Sequence, residues 1–321
     1  KAKTINKYLG DNYTVLASYG HIRDLPSKNG SVDPDQNFKM EWEVDSFSKK
    51  YLKEITDAAK NSSKIILATD PDREGEAIAW HVEKLLRDNA SLSKLNIHRV
   101  TFNEITKNAV LDSLKEPRGI DENLVNAYLA RRALDFLVGF TLSPVLWRKL
   151  PGSKSAGRVQ SVALRIISER ELEIEKFNPQ EYWSLQGQFI NQDDKIIKSR
   201  LTVYDGNKID KLDIKDENQA TKIFNDIKKS KFTVDNIIKK EAKRNPYPAF
   251  TTSTMQIESS RKLGLSANQT MRTAQKLYEG TEIKGETTGL ITYMRTDSVV
   301  MSNDAIGQIR NFVTTNYGSN Y

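Results

Sequence analysis

Several acidic side chains crowd one short stretch of this chain. Asp70, Asp72 and Glu74 alternate along the run KIILATDPDREGE, directly after the apolar residues of 65–69. In an extended backbone, side chains two residues apart point to the same side, so we expect these three carboxylates to face one another. Mg²⁺ prefers hard oxygen ligands and is usually held by one or two carboxylates together with phosphate oxygens. The cluster therefore predicts a Mg²⁺ site used in phosphate chemistry.

The same acids have a structural alternative. Glu74 and Glu76 could be first-turn acids that complement a helix dipole, with Asp70 and Asp72 as loop formers. For single acids the two interpretations are about equal, but for the whole cluster after an apolar strand we favour the metal site.

A second group of reactive side chains lies near the carboxyl end, at 293–298, which reads YMRTDS. A tyrosine hydroxyl has a pKa near 10 and is a poor nucleophile until a cation stabilises its phenolate. Arginine is permanently charged and its guanidinium matches a phosphate. Any one of the chain's 12 tyrosines is more often a packing residue, but beside an acidic cluster the pair predicts Tyr293 as nucleophile and Arg295 as phosphate ligand.

Alternating apolar patterns indicate how the acidic cluster is positioned. They predict strands at Tyr13–Ser18, Ile65–Thr69 and Ile97–Phe102. They also predict four helices: one that ends at Gly10, one that begins after Ser46, one at Glu76–Arg87 and one that begins at Glu104. Alternation of this kind is typical of a parallel α/β sheet. Ligands bind at the carboxyl ends of strands in such sheets, where Asp70 lies.

Downstream of this region the pattern changes twice. Helical periodicity from Asp121 to Phe177 is interrupted at Ser143-Pro144 and Pro151-Gly152. Strands are then predicted at Tyr182–Ile190, Ile196–Tyr204 and Phe232–Ile238, with a helix near Glu217–Lys228, followed by helices at Ser253–Leu263 and Ser266–Tyr278 and a strand at Gly289–Tyr293. The last three elements are typical of a helix-turn-helix with a wing. We therefore predict a multidomain α/β plus α fold divided at 1–118, 119–180, 181–248 and 249–321.

Composition narrows the class of protein. The chain has 321 residues, 49 lysines and arginines against 42 acids, and a formal charge of +7, which suits a polyanionic partner. It has no cysteine, which excludes disulfides and cysteine-ligated zinc within these residues. No apolar run reaches the roughly 20 residues that span a bilayer, so we expect no membrane segment and a reducing cytoplasm.

With both reactive groups considered, the chain resembles the bacterial type IA DNA topoisomerases along nearly its whole length. The segments that carry the resemblance are 1–5 (KAKTI), 20–26 (GHIRDLP), 70–81 (DPDREGEAIAWH), 102–106 (FNEIT), 155–161 (SAGRVQS) and 289–298 (GLITYMRTDS).

The resemblance implies a role for each predicted domain. It implies a Toprim domain at 1–118 that holds Mg²⁺ through Asp70, Asp72 and Glu74, a partial helical DNA-binding domain at 119–180 and a β-rich gate arch at 181–248. In the helix-turn-helix-like part at 249–321, Tyr293 would form a 5′-phosphotyrosine link and Arg295 would hold the scissile phosphate and contact DNA.

The resemblance also implies further DNA contacts, at His21, Arg131, Arg132, Asp135, Phe140, Trp147, Ser155, Ala156, Gly157, Arg158 and Val159. Without it, Phe140 and Trp147 would be assigned to a core, Arg131 and Arg132 to a solvated helix face, and His21 to a turn. Relatives commonly carry tyrosine at the position of Phe140.

The implied function is ATP-independent relaxation of negatively supercoiled DNA by cleavage, passage and religation of single strands. We expect Mg²⁺ as cofactor, no nucleotide cofactor because no Walker loop is present, a monomer, and a cytoplasmic, nucleoid-associated location. The family's first Toprim strand, with its glutamate, would precede Lys1, and further domains would follow Tyr321. We therefore expect these 321 residues alone to be inactive. Two alternatives remain: a metal-dependent Toprim nuclease or primase-like enzyme, and a non-catalytic single-strand-binding fragment.

Overall fold

The computed structural model describes residues 1–319, which form two compact units. The first comprises Lys1–Arg158 together with the segment from Pro246 onward, and the second comprises Val159–Asn245. Both units contain helices and strands, in agreement with the predicted fold class. The four-part domain division made from the sequence stays a prediction.

The first unit carries the acidic cluster and Tyr293. Its helices are α1 (Ala2–Leu9), α2 (Ser48–Lys60), α3 (Arg73–Arg87), α4 (Lys107–Ser113), α5 (Glu122–Lys149), α8 (Thr252–Leu263), α9 (Ala267–Glu279) and α10 (Asn303–Tyr317), and the second unit contains most of α6 (Arg158–Glu175) and all of α7 (Glu217–Lys228). The first unit's strands are β1 (Arg23–Asp24), β2 (Val32–Asp33), β3 (Lys39–Met40), β4 (Glu43–Val44), β5 (Lys64–Leu67), β6 (Asn96–Arg99), β11 (Thr281–Ile283) and β12 (Glu286–Thr288).

The acidic cluster follows a parallel strand pair. β5 and β6 run parallel with Leu67 opposite Arg99, and the Val100 amide continues the ladder by donating to the Leu67 carbonyl. A core of Ile22, Ala59, Leu67, Ala79, Val82, Leu86 and Leu92 fills the space between this pair and α3. The predicted strand–turn–helix arrangement is confirmed, although α3 begins at Arg73 rather than at Glu76, because Asp72 caps it.

A second core joins the two ends of the chain. It contains Ile5, Val100, Phe102, Ile105, Val110, Ala274, Tyr278, Tyr293 and Met294. The α/β part and the helices around α9 therefore bury their apolar faces against each other, which brings the tyrosine segment beside the acidic loop.

The long helix α5 corrects one prediction. It continues through Pro144, where the sequence predicted an interruption. Proline has no amide hydrogen, so the helix lacks one backbone hydrogen bond at Pro144. A tertiary contact holds this turn in place, because the neighbouring Ser143 hydroxyl accepts from the Ala156 amide at 3.1 Å. The second predicted break is confirmed, because α5 ends at Lys149 and a turn at 151–152 follows.

The helix-turn-helix element is formed by α8 and α9, with Gly264 in the left-handed conformation between them. The wing differs from the prediction: it is the hairpin β11–β12, and Gly289–Tyr293 is not a strand. The Leu290 amide donates to the Leu277 carbonyl and the Tyr293 amide to the Asn103 carbonyl, so this segment is bound by loops and a helix end instead of a sheet.

Two other predicted strands are wrong. Tyr13–Ser18 is irregular, because no strand within residues 1–319 pairs with it. Phe232–Ile238, in the second unit, is also irregular, and the Phe232 ring packs on Phe189 at 4.7 Å between centroids. In that unit β7 (Gln186–Ile190) pairs with β8 (Ile196–Arg200), the short β9 (Val203–Tyr204) pairs with β10 (Asn207–Lys208), and α7 buries Ala220 and Ile223 against Ile214.

Candidate active site

Asp70 is the first acid after β5 and is held by a lysine. The Lys1 ammonium nitrogen lies 2.6 Å from Asp70 Oδ1. Burial lowers the pKa of Lys1, while the Asp70 charge opposes this shift. Lys1 thus places a positive charge beside the acidic loop, where the Asp70 carboxylate balances it. Lys3, two residues further along, is exposed.

Asp72 connects the acidic loop with the tyrosine segment. Its Oδ1 accepts from the Gly75 amide at 2.8 Å and so caps α3. Its Oδ2 accepts from the Tyr293 hydroxyl at 2.8 Å and lies 3.3 Å from an Arg295 guanidinium nitrogen. One oxygen of Asp72 therefore fixes the local backbone, and the other contacts the tyrosine segment.

Glu74 corrects the expected geometry of the acids. It lies in the first turn of α3, so the three acids do not follow an extended backbone. Glu74 Oε2 lies 3.4 Å from Nε2 of His21, whose ring stacks on Tyr128 at 5.4 Å. In residues 1–319, no group of three or more His, Asp or Glu side chains is arranged to hold a metal ion. Asp70 and Asp72 still fit Mg²⁺, which needs only one or two carboxylates when phosphate and water complete its shell.

The Tyr293 segment is fixed from two directions. Its amide donates to the Asn103 carbonyl at 2.6 Å, and the Thr252 hydroxyl donates to the Met294 carbonyl at 2.7 Å. The Tyr293 ring packs edge-on against Tyr278, with centroids 5.2 Å apart. Burial, followed by the hydrogen bond to Asp72, raises the pKa of the Tyr293 phenol far above its usual value. In this arrangement the phenol is kept protonated.

A buried ion network behind the acidic loop was not recognised from the sequence. Arg99 and Glu76 have no exposed side-chain surface and meet at 3.0 Å. Arg99 also donates to the carbonyl oxygens of Leu67, Thr69 and Asp70 at 2.7–3.1 Å. It therefore holds the end of β5 and the start of the acidic loop.

The other side of this network reaches α5. Arg118 donates twice to Glu76, at 2.7 and 2.9 Å, and the Asp121 amide donates to it at 2.7 Å. Burial alone raises the pKa of Glu76, but these hydrogen bonds and the charge of Arg99 outweigh it, so that the pKa lies below its usual value. The signal available in the sequence was a charged residue within an apolar strand pattern, at position 99.

A histidine enclosed by aromatic rings was also missed. His81 is fully buried and its Nδ1 accepts from the Arg23 guanidinium at 2.5 Å. The Trp42 and Trp80 rings approach it edge-on at 4.6 and 4.7 Å. Burial, together with the Arg23 charge, lowers the pKa of His81 to about 3, so this imidazole is neutral at physiological pH.

The predicted DNA-contacting charges are paired with acids in this structure. Arg158 Nε lies 2.8 Å and Arg131 Nε 3.6 Å from the Asp135 carboxylate. Arg132 makes two hydrogen bonds of 2.8 Å to Asp24. All three arginines are partly exposed, and their carboxylate partners occupy the donors that a phosphate would use.

The two aromatic residues predicted to contact DNA, Phe140 and Trp147, differ in how much of each ring is exposed. Phe140 is 38% exposed and stacks on the buried Phe136 at 4.2 Å, so much of its ring serves packing. Trp147 is 54% exposed and donates from its indole to the Lys154 carbonyl at 2.7 Å, which leaves a ring face open. In the segment after them, Ser155 and Val159 are exposed, whereas Ala156, Gly157 and Arg158 are partly buried.

Comparisons with known proteins agree with this geometry. A family model described as DNA topoisomerase matches residues 119–321, and a second, described as Toprim domain, matches residues 1–105. The chain belongs to the DNA topoisomerase family. The resemblance to type IA enzymes stated from the sequence is confirmed, as is a Toprim domain at the amino-terminal side.

Relatives of this topoisomerase family member cover the whole chain. DNA topoisomerase 1 of Rickettsia felis is 55% identical over 322 residues, and that of Zymomonas mobilis is 56% identical over 321 residues. The chain spans 42% and 26% of those proteins. A solved structure of full-length topoisomerase I from Thermotoga maritima superimposes with a TM-score of 0.81 at 38% identity, covering 100% of this chain and 52% of that one. None of the helices within residues 1–319 combines the length and the hydropathy of a membrane-spanning segment.

Proposed function

We propose that the complete protein containing this chain relaxes negatively supercoiled DNA by cutting one strand through Tyr293. The observation that carries the proposal is the 2.8 Å hydrogen bond between the Tyr293 phenol and Asp72, which joins residues 221 positions apart. A tyrosine and an acidic Toprim loop in direct contact are what transesterification at a phosphodiester requires.

In the proposed reaction, the Tyr293 oxygen attacks phosphorus and the bond from phosphorus to the DNA 3′ oxygen breaks. The product is a 5′-phosphotyrosine and a free 3′-hydroxyl, so the phenol proton is formally transferred to the leaving oxygen. Asp72 is the nearest acceptor for that proton. The reverse attack by the 3′-hydroxyl restores both groups after the second strand has passed, and no nucleotide cofactor is needed.

Positive charge near the phosphorus favours the attack. Arg295, 3.3 Å from Asp72, would grip the phosphate oxygens, and Lys1 would add charge from the Asp70 side. Mg²⁺ held by Asp70 and Asp72, with Glu74 nearby, would supply further positive charge at the phosphate.

We assign the predicted DNA contacts to binding of the single strand that is cut. Arg131, Arg132 and Arg158 would exchange their carboxylate partners for phosphates, and the open face of Trp147 would stack on a base. His21 lies beside Glu74 and would contact the strand near the cut. A monomer in the cytoplasm, on nucleoid DNA, remains our expectation for the complete protein.

The test is a covalent trap. The complete protein is incubated with Mg²⁺ and single-stranded oligonucleotides labelled at the 3′ or the 5′ end, and then denatured. We expect the 3′ label to remain on the protein and the 5′ label to leave on a fragment with a free 3′-hydroxyl. Tyr293→Phe should abolish the adduct, whereas Tyr278→Phe, a phenol lost in the same core, should retain it.

The same experiment separates the alternatives. A Toprim nuclease would still cut DNA after Tyr293→Phe and would leave no label on the protein. A binding fragment without catalytic activity would neither cut nor retain label. Either result would overturn the proposal.

A further inference from the structure

We propose that Tyr19, Phe47 and Tyr51, with the lysines at the start of α2, form a second docking surface for single-stranded DNA. We call this patch the Tyr19 surface. It rests on the proposed function in taking DNA as the ligand, and it adds a binding segment outside the candidate active site and outside the predicted contacts on α5.

The three rings form one exposed aromatic patch. Tyr19 lies 4.3 Å from Tyr51 between centroids, with the ring planes 35° apart, and Phe47 lies 5.4 Å from Tyr51 at 62°. Tyr19 is 69% and Phe47 65% exposed. Adjacent exposed aromatic rings on a protein surface mark a binding site more often than scattered single ones do.

The backbone holds Tyr19 outward at an energetic cost. Its φ of 55° lies in the left-handed region, which is unusual for a bulky residue, and Gly20 follows with a φ of 109°. Burial of the ring does not offset this cost, since most of the ring is exposed. Residues kept in such conformations cluster at ligand-binding sites.

Hydrogen bonds explain how the conformation is maintained. The Ser48 hydroxyl at the start of α2 donates to the His21 carbonyl at 3.3 Å, and the Asp45 amide donates to the Ile22 carbonyl at 3.3 Å. Together with the pairing of β1 and β4, they fix the segment that follows Tyr19 against the amino end of α2.

The helix beside the rings has a net positive charge, while the Asp45 carboxylate before it accepts from the Phe47 amide at 3.1 Å. The helix Ser48–Lys60 contains four lysines and two acids, and Lys60 pairs with Asp57 at 2.9 Å. Among residues 1–319, no ion pair engages Lys49, Lys50 or Lys53, which are exposed. The Lys50 ammonium lies 6.0 Å from the centre of the Tyr51 ring. Stacking rings next to uncommitted cations are the chemistry that binds single strands without sequence preference.

The patch is continuous with the predicted site. His21 is two residues from Tyr19, and its imidazole lies 3.4 Å from Glu74. A strand that contacts His21 can therefore continue onto the Tyr19 surface. This continuity, together with the positive charge, favours DNA over a protein partner.

The test measures how binding depends on strand length. The complete protein, carrying Tyr293→Phe so that no cleavage occurs, is titrated with labelled oligothymidines lengthened separately at the 5′ or the 3′ end. We expect lengthening at one end to tighten binding, and Tyr19→Ala with Phe47→Ala to weaken binding of the long strand about fivefold or more, the effect of one lost base stack. The shortest strand should bind as before.

A matched control variant and a charge variant sharpen the result. Phe224→Ala removes an exposed ring with a lysine 5.9 Å from its centre, as at Tyr51, and should change nothing. Replacing Lys49, Lys50 and Lys53 with glutamine should reduce the slope of log affinity against log salt by about 0.7 for each phosphate that these lysines no longer neutralise. The double aromatic variant should keep the wild-type slope.

Two outcomes would overturn the proposal: unchanged affinity for the long strand, or an equal loss for short and long strands. Unchanged affinity with a lower melting temperature would mean that the rings pack on another part of the complete protein. Adduct formation by the complete protein, with Tyr293 intact, tests the proposed function separately, because the length dependence is measured without cleavage.

Discussion

Neutralising Glu76 should destabilise the protein far more than neutralising a surface acid on the same helix. In Glu76→Gln, one of two acceptor oxygens becomes an amide nitrogen that cannot accept, so about half of the four hydrogen bonds to Glu76 are lost. The charge that balances Arg99, which is fully buried, is lost as well.

The magnitude follows from burial. Removing one partner of a buried ion pair costs about 3–5 kcal/mol. Arg118 is 37% exposed and can turn to water, so we expect the lower end, about 3 kcal/mol in the free energy of unfolding, measured by urea denaturation. The matched control is Glu83→Gln on the same helix. The Glu83 carboxylate lies 2.7 Å from Arg87, whose side chain is exposed. That change should cost about 0.3–0.5 kcal/mol.

The pH dependence provides a second measurement. The folded pKa of Glu76 lies below its unfolded value, so its contribution is fully present above the unfolded pKa and is lost as the pH falls through the folded one. Glu76→Gln should therefore flatten the acid side of the stability curve. Equal losses for Glu76→Gln and Glu83→Gln, or an unchanged acid limb, would refute the assignment of this network as a stabilising one.

Three other predictions concern the candidate site. Asp72→Asn should lower the pKa of the Tyr293 phenol, because an anionic acceptor is removed. Tyrosine absorbance followed in alkaline solution would measure this pKa, once the signal of the matching protein with Tyr293→Phe is subtracted. Gly75→Ala should reduce stability by about 2 kcal/mol or more in thermal melts, since a Cβ there would collide with the Asp70 carbonyl oxygen. Gly307→Ala, in open space on α10, should instead stabilise by about 0.4–1 kcal/mol in the same measurement. His81, with a folded pKa of about 3, should not titrate by NMR between pH 5 and 8, and stability should fall as the pH drops from about 6.5 toward 3, where only the unfolded state gains the proton.

Local patterns in the sequence predicted the elements that carry the acids. The strand before Asp70 and the helix after it are present because an apolar run, a capping aspartate and Gly75 all favour that turn. The error in the prediction for Glu74 has a local cause as well: Asp72 starts the helix, so the backbone stops being extended before Glu74 is reached.

What the sequence could not supply are contacts between distant residues. The Tyr293–Asp72 and Arg132–Asp24 pairs join positions 221 and 108 residues apart, and no periodicity encodes them. The resemblance brought the tyrosine and the acids into one site, but not which acid meets the phenol. Pro144 shows the same limit in the opposite direction, because tertiary packing keeps a helix where local propensity predicts a break.

The core around Tyr293 sets an energetic condition on the strand passage proposed above. Tyr293 and Met294 are buried in the core that joins the α/β part to the helices around α9, so in the proposed reaction carrying a DNA end away on this tyrosine would expose both side chains. Each contributes about 1.5–3 kcal/mol when buried, which gives about 3–6 kcal/mol for opening before any loss of the bonds to Asp72. On that basis the open form would be populated at roughly one part in 10² to 10⁴ without DNA. Contacts that form only in the open, DNA-bound state must therefore supply the difference, and the single-strand surfaces proposed above are where such contacts can be made.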